Sequence, residues 1–248
     1  MIPKIIHYIW LGGKPLPKVA EKCIASWKKY CPDYEIKRWD ESNLDIGKYK
    51  FAHDAYEQKK YAFASDVFRT EILYNEGGIY LDIDVELIKP VDVLLKGNDC
   101  VMGFETSNMI APGLILASIP KNNDLLNILN IYKNLNFDVK NTNKITVCEI
   151  YTNYYKEKGL EKIDKTQKIQ NTMFYASEYF SPKSLSDGKI RKTKNSVAIH
   201  HYCASWVKKV DKFKTKINQF IKRILGQKLV NKIKNKRRNN ESSTSSCE

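Results

Sequence analysis

The chain has 248 residues, is 42% hydrophobic and 28% charged, and carries a formal net charge of +14. That is enough apolar sequence for one catalytic-sized domain with a full core, and the absence of any run of about 18 apolar residues excludes a membrane-spanning helix. The charge is uneven: between residues 208 and 238 thirteen Lys or Arg face one acid, Asp211, and with Glu241 and Glu248 the stretch 208–248 carries +10, which leaves about +4 for residues 1–207. The basicity belongs to a tail, and no nucleic-acid partner is expected for the body. Six cysteines (Cys23, Cys31, Cys100, Cys148, Cys203 and Cys247) show no Cys-x-x-Cys spacing, so neither a zinc site nor a disulfide framework is expected. The chain opens without a charged-then-apolar secretory pattern, and the expected location is cytoplasmic, peripheral on the cytosolic face of a membrane.

In chain order, residues 2–10 (IPKIIHYIW) read as a buried strand closed by the turn-rich LGGKPLP. Residues 18–30 have helical spacing, with Val19, Cys23, Ile24 and Trp27 on one face, and residues 34–39 alternate as a second strand. Such a βαβ opening predicts a mostly parallel sheet with a nucleotide at the carboxyl ends of its strands. Residues 61–76 (YAFASDVFRTEILYNE) follow as a helix in which Asp66 and Arg69 share a face. Ser65 is an internal polar contact or a local N-cap.

Gly77-Gly78 ends this helix. Residues 79–85 then read as one strand, with Tyr80, Asp82 and Asp84 on one face and Ile79, Leu81, Ile83 and Val85 on the other. Two carboxylates roughly 6–7 Å apart on one strand face repel unless a cation joins them. Hard ions such as Mn²⁺ or Mg²⁺ take such oxygens and share them with substrate phosphates. Taken singly, the D-x-D is equally a strand end with solvated acids, and the Asp66/Arg69 pair a surface ion pair contributing under about 1 kcal/mol. Their close succession favours a site.

Residues 90–95 read as a loop or short helix, 101–105 and 114–118 as strands, and 124–135 as an amphipathic helix; 136–175 are polar and stay unassigned. A late strand over residues 196–202 places His200 and His201 on opposite faces. One of them, with Ser205 and Trp206, could complete a metal–diphosphate site. From Val210 onward apolar residues recur at helical spacing between lysines and arginines. That predicts a basic helix suited to an anionic membrane surface, or one whose stripe packs on the body. The predicted organisation is a catalytic domain over 1–207, a basic amphipathic helical tail over 208–238 and a Ser-rich disordered terminus over 239–248.

Together, IPKIIHYIWLGG, SDVFRTEILYNEGGIYLDIDVE and IHHYCASW resemble the glycosyltransferase sugar-binding region with a DXD motif, that of the capsular-polysaccharide glycosyltransferases (glycosyltransferase family 32), related to the clostridial glucosylating toxins. The resemblance implies an α/β, Rossmann-like GT-A fold with a mixed, mostly parallel sheet. It implies a metal-dependent transfer, with Mn²⁺ or Mg²⁺, of a hexose from a nucleotide-sugar donor, a UDP-sugar, to a glycan or lipid-linked glycan acceptor. Retention of configuration and a role in cell-surface or capsular polysaccharide synthesis follow from the same source. Carried over position by position, Trp10 stacks on the base, and Ser65, Asp66 and Arg69 contact the ribose and donor sugar. Tyr80 supports the donor, Asp82 lies near ribose, sugar and metal, and Asp84 ligates the metal. His201 or His200, with Ser205 and Trp206, reaches the metal and diphosphate. Catalysis would rest on Asp66, Arg69, Asp82 and Asp84. Asn43 falls where related enzymes approach the nucleotide, and residues 141–152 lack the Thr-Gly-Pro of the pattern. Two readings compete: a non-catalytic basic-tailed module for membrane or nucleic acid, supported by the tail alone, and a phosphatase with a D-x-D-x-V nucleophile, which leaves Asp66, Arg69 and the HHxxxSW segment unexplained.

Overall fold

The computed structural model describes residues 1–203, residues 107 and 185 excepted. Ser205, Trp206, the tail over 208–238 and the terminus over 239–248 lie outside the described residues. Two compact units are distinguished. One, Met1–Pro182 with Arg191–Cys203, holds the sheets; the other includes Lys183–Ile190, a small loop closed by an antiparallel bridge between Lys183 and Ile190.

The first unit opens with β1 (Ile5–Ile9), α1 (Lys18–Tyr30) and β2 (Glu35–Trp39), as the sequence predicts. Helices α2 (Lys50–Glu57) and α3 (Tyr61–Glu76) lead to two short strands, β3 (Gly78–Tyr80) and β4 (Val85–Leu87), followed by α4 (Asp92–Leu95). Next come β5 (Cys100–Thr106), β6 (Met109–Ile110), β7 (Leu116–Ser118) and α5 (Asn123–Lys133). The stretch that the sequence left unassigned holds a short 3-10 helix (Val139–Lys144), α6 (Val147–Glu157), β8 (Gln167–Ile169) and β9 (Thr172–Tyr175). Helix α7 (Ser177–Phe180) and β10 (Ala198–His200) complete the unit.

The main sheet runs β2-β1-β3-β7-β5-β9-β8, with β6 beside β5. Strands β1, β2, β3, β5 and β9 point one way and β6, β7 and β8 the other. Alternation along the strands builds a core on each face. Ile6, Tyr8, Ile79, Val101 and Ala117 pack with Cys23 and Trp27 of α1, whereas Tyr80, Cys100, Met102, Phe104, Leu116 and Phe174 pack with α2, α3, α5 and α6. Helix α3 is buried all round, every residue from Phe63 to Leu73 included, as expected of a helix enclosed by other elements.

One expectation is corrected. Residues 79–85 are not a single strand: β3 ends at Tyr80, and the chain turns through residues 81–84 before β4. The Asp82 amide donates to the Gly113 carbonyl at 2.9 Å, and the Asp82 carbonyl accepts from Val85 N–H at 3.0 Å. The chain thereby leaves the main sheet and enters a second, two-stranded one, in which β4 pairs antiparallel with β10. Helix α1 anchors that strand: Trp27 Nε1 donates to the Val85 carbonyl at 2.8 Å, and Ser26 Oγ accepts from Leu87 N–H at 2.9 Å.

The α3–β3 junction is equally constrained. Gly78 has a φ of +96°, and a Cβ there would lie 2.7 Å from the Ile5 carbonyl and 3.0 Å from His7 Nε2, so only glycine fits. His7, fully buried in β1, bonds the Gly77 carbonyl through Nε2 at 2.9 Å and accepts Trp39 Nε1–H at Nδ1, 3.0 Å away. This pattern selects the neutral Nε2–H tautomer, and burial pushes the ring's pKa down to about 4.

Candidate functional site

Asp66 and Arg69 sit three residues apart on the enclosed helix α3, where an unpaired charge would be costly. Arg69 Nη2 meets Asp66 Oδ1 at 2.7 Å and Asp82 Oδ1 at 3.4 Å, and donates to Ser65 Oγ at 3.3 Å. Ser65 does not cap the helix; its hydroxyl donates to the Ala62 carbonyl at 2.7 Å. The guanidinium lies 4.5 Å over the Tyr80 ring, a cation–π contact, and the Tyr80 hydroxyl donates to Asp82 Oδ1 at 3.1 Å. Burial pushes the Asp66 carboxyl up to about 7; the neighbouring Arg69 opposes this, Asp82 adds to it, and the Val147 amide bonds the carboxylate. With Oδ1 engaged by both Tyr80 and Arg69, Asp82 is a fixed acid and ill placed as a phosphatase nucleophile.

Asp84 faces the second sheet. Its Oδ2 accepts from Cys203 N–H at 2.7 Å and its Oδ1 lies 3.2 Å from His200 Nε2. Burial works against the charge, yet the His200 ring and the Cys203 amide hold the carboxyl down at about 2. Donor atoms of Asp82, Asp84 and His200 all lie within 4.8 Å of one another. The turn, and not a shared strand face, brings the two acids together.

Of the two histidines, the structure brings His200 to the acids and turns His201 away, because β10 alternates faces as it pairs with β4. His201 Nε2 lies 2.7 Å from Glu86 Oε2, the oxygen that Lys22 also reaches at 3.0 Å. Of the two alternatives that the sequence leaves open, His200 is the one beside Asp82 and Asp84.

The donor set suits a divalent cation. Two carboxylates and an imidazole converge, and the 3.2 Å between Asp84 Oδ1 and His200 Nε2 is near the roughly 3 Å between adjacent ligands of an octahedral ion with bonds of about 2.1 Å. His200 Nδ1 and Arg69 Nε are buried without a hydrogen-bond partner among the described residues. Both are polar atoms on the two halves of the same site.

Trp10 lies half-buried just past the end of β1, its amide donating to the Trp39 carbonyl at 2.9 Å and its indole N–H to the Lys14 carbonyl. It therefore stands at the carboxyl ends of the parallel strands β1 and β2. Asn43 instead ties its own loop, donating to the Arg38 carbonyl at 3.0 Å and accepting from Asp40 N–H at 2.8 Å. The segment that lacks Thr-Gly-Pro nonetheless reaches the site: Thr146 caps α6 by accepting from Glu149 N–H, and the next amide, Val147, holds Asp66.

Three participants escaped the sequence reading. Glu105, at the end of β5, lies 3.9 Å from His200 Nδ1, and burial pushes its carboxyl up. Gly113 presses on Asp82 so closely that an added Cβ would overlap its carboxylate. The Val147 amide is the third. Only Gly113 left a trace, as the Pro112-Gly113 turn punctuation before a strand.

Residues 17–102, which include Ser65, Asp66, Arg69, Tyr80, Asp82 and Asp84, match the family described as glycosyltransferase sugar-binding region containing DXD motif. Inositol phosphoceramide mannosyltransferase 3 of Schizosaccharomyces pombe is 38% identical over 101 residues, covering 38% of this chain and 27% of that protein. A toxin of Photorhabdus asymbiotica is 27% identical over 228 residues, covering 74% of this chain and 8% of the toxin. The chain thus spans a minor part of either relative. Among solved structures, the PaToxG glycosyltransferase shares the fold, with a TM-score of 0.51 at 22% identity over 63% of this chain and 70% of that one. The chain shares the fold of the PaToxG glycosyltransferase, an architecture of the GT-A type, and its residues 17–102 match the glycosyltransferase sugar-binding region containing a DXD motif.

Proposed function

We propose that the protein transfers a sugar from a nucleotide-sugar, a UDP-sugar, to a hydroxyl of a glycan or lipid-linked glycan, with retention of configuration, and that Asp82, Asp84 and His200 hold the Mn²⁺ or Mg²⁺ this requires. The observation that carries the reading is the convergence of those three side chains beside the buried Asp66/Arg69 pair at the carboxyl end of β3. Ligands bind at that end of such sheets. The imidazole in the set favours Mn²⁺ over Mg²⁺, which prefers oxygen.

A bound divalent ion would act as a Lewis acid for the charge developing on the leaving diphosphate. The rest falls to the chain. Asp66 and Arg69, locked against each other, Ser65 and Tyr80, would orient the donor's hydroxyls, where positioning alone is worth several kcal/mol. Trp10 would offer a ring face to the base. Ser205 and Trp206 would donate to the β-phosphate. Retention rests on the family resemblance. The fungal relative is named for a lipid, inositol phosphoceramide, and that, with the basic tail over 208–238, supports a lipid-linked acceptor at an anionic, cytosolic membrane surface, in cell-surface or capsular polysaccharide synthesis.

Calorimetric titration of UDP and a panel of UDP-sugars, with and without Mn²⁺, tests this reading. Cation-dependent binding of at least one donor, lost in Asp84→Asn, is expected. No binding of any donor with or without Mn²⁺ would overturn it in favour of a non-catalytic module.

A further inference from the structure

Glu105 is an acid without a role in the scheme above. It lies beyond the segment matched to the family, on β5 of the main sheet, while His200 comes from β10 of the small one. The two side chains are 19% and 13% exposed, with Glu105 Oε1 3.9 Å from His200 Nδ1. That nitrogen is buried and has no hydrogen-bond partner among the described residues. Nε2 of the same ring lies 3.2 Å from Asp84 Oδ1. Tyr202, its ring 4.1 Å from the imidazole, limits the ring's freedom to swing.

A metal-bound imidazole nearly always donates its other ring N–H to a carboxylate, a carbonyl or water, which fixes the tautomer and raises ligand basicity. We propose that Glu105 is the positioning residue for His200: its carboxylate accepts Nδ1–H, keeps the lone pair on Nε2, and aims that nitrogen between Asp82 and Asp84. A movement of about 1 Å turns the 3.9 Å approach into an ordinary hydrogen bond. The inference rests on the cation reading of the site. It makes the third carboxylate of the cluster a partner of the imidazole and not a ligand.

The test is Mn²⁺ affinity, measured on the full chain by the electron paramagnetic resonance signal of free Mn²⁺, for wild type, Glu105→Gln, Glu105→Ala, His200→Ala and the Glu105→Ala/His200→Ala double variant. Glu105→Ala is expected to weaken binding about 10–100-fold. Glu105→Gln, whose amide oxygen still accepts from Nδ1–H, should stay within about threefold of wild type. The double variant should bind no more weakly than His200→Ala, because Glu105 acts only through His200. Additive losses in the double variant, or equal losses in Glu105→Gln and Glu105→Ala, would make Glu105 a direct ligand and overturn the proposal. So would wild-type affinity in Glu105→Ala. Circular dichroism and thermal melts establish that each variant folds, and the near-isosteric Gln variant decides the matter even where Ala does not. Absence of Mn²⁺ binding in wild type would instead remove the underlying metal reading, an outcome distinct from all of these.

Discussion

Gly113→Ala isolates how tightly Asp82 must be held. The residue's backbone is outside the left-handed region, so alanine is conformationally acceptable and the perturbation is the methyl itself. That methyl would overlap Asp82 Oδ2 and lie 2.8 Å from Asp82 Cγ and 3.2 Å from Arg69 Nη1. Ordinary contact begins at 3.4 Å, so Cγ must retreat about 0.6 Å and Oδ2 farther. The backbone cannot yield instead without weakening the 2.9 Å bond from the Asp82 amide to the Gly113 carbonyl, which holds the turn. Overpacking of this kind costs about 1–3 kcal/mol of stability. A misplacement on the order of 1 Å at a reacting centre costs about 10²-fold in rate. Donor turnover measured alongside urea unfolding should show a roughly 100-fold fall in kcat/KM with the fold retained. Wild-type turnover by a folded Gly113→Ala protein would refute the idea that Asp82 is clamped between Tyr80, Arg69 and this glycine.

Three further outcomes are expected. His7 is held neutral, with its pKa pushed down from the usual 6.5 to about 4 by burial, so between those values the unfolded chain binds a proton that the folded one refuses. Stability present above pH 6.5 is therefore lost as pH falls towards 4, by about 3 kcal/mol; urea unfolding across this window should show the loss in wild type and its absence in His7→Gln, and identical pH slopes would contradict the assignment. Arg69→Met leaves Asp66 buried without its partner and should destabilise by about 3–5 kcal/mol while abolishing donor binding, whereas a melt unchanged by more than a degree or so would show that the pair is not buried as described. His201→Ala, which removes the bond to Glu86, should leave Mn²⁺ affinity within about twofold, in contrast to the loss in His200→Ala; equal losses would return His201 to the site.

The sequence carried the elements whose pattern is local. Helix α1 is legible from Cys23 and Trp27 at helical spacing, and Asp66 with Arg69 stood out as an i,i+3 pair. Two acids inside an apolar run marked the site itself. What stayed hidden was decided by partners distant in sequence. The strand expected over residues 79–85 breaks because Gly113, some thirty residues later, takes the Asp82 amide. Which histidine meets Asp84 follows from the register of β10 on β4, and a dipeptide His200-His201 carries no record of it. Glu105 at a strand end looks like any solvated acid until β10 arrives beside it. Helix α6 buries Tyr151 and Tyr155, which a polar reading of residues 136–175 discounts because tyrosine counts weakly as apolar. His7 passed for an ordinary residue of a buried strand; only the contacts with Trp39 and Gly77 reveal a clamp.

Nucleotide release decides whether Asp84 and its neighbours hold a cation for sugar transfer from a nucleotide donor. Wild type and Asp84→Asn would be stripped of metal, then assayed against a panel of UDP-sugars with and without added Mn²⁺. Release from at least one donor is expected only with the cation, with a loss of at least about 10²-fold in the variant. Equal release with and without Mn²⁺, or an Asp84→Asn protein as active as wild type, would contradict a cation-holding role for Asp84.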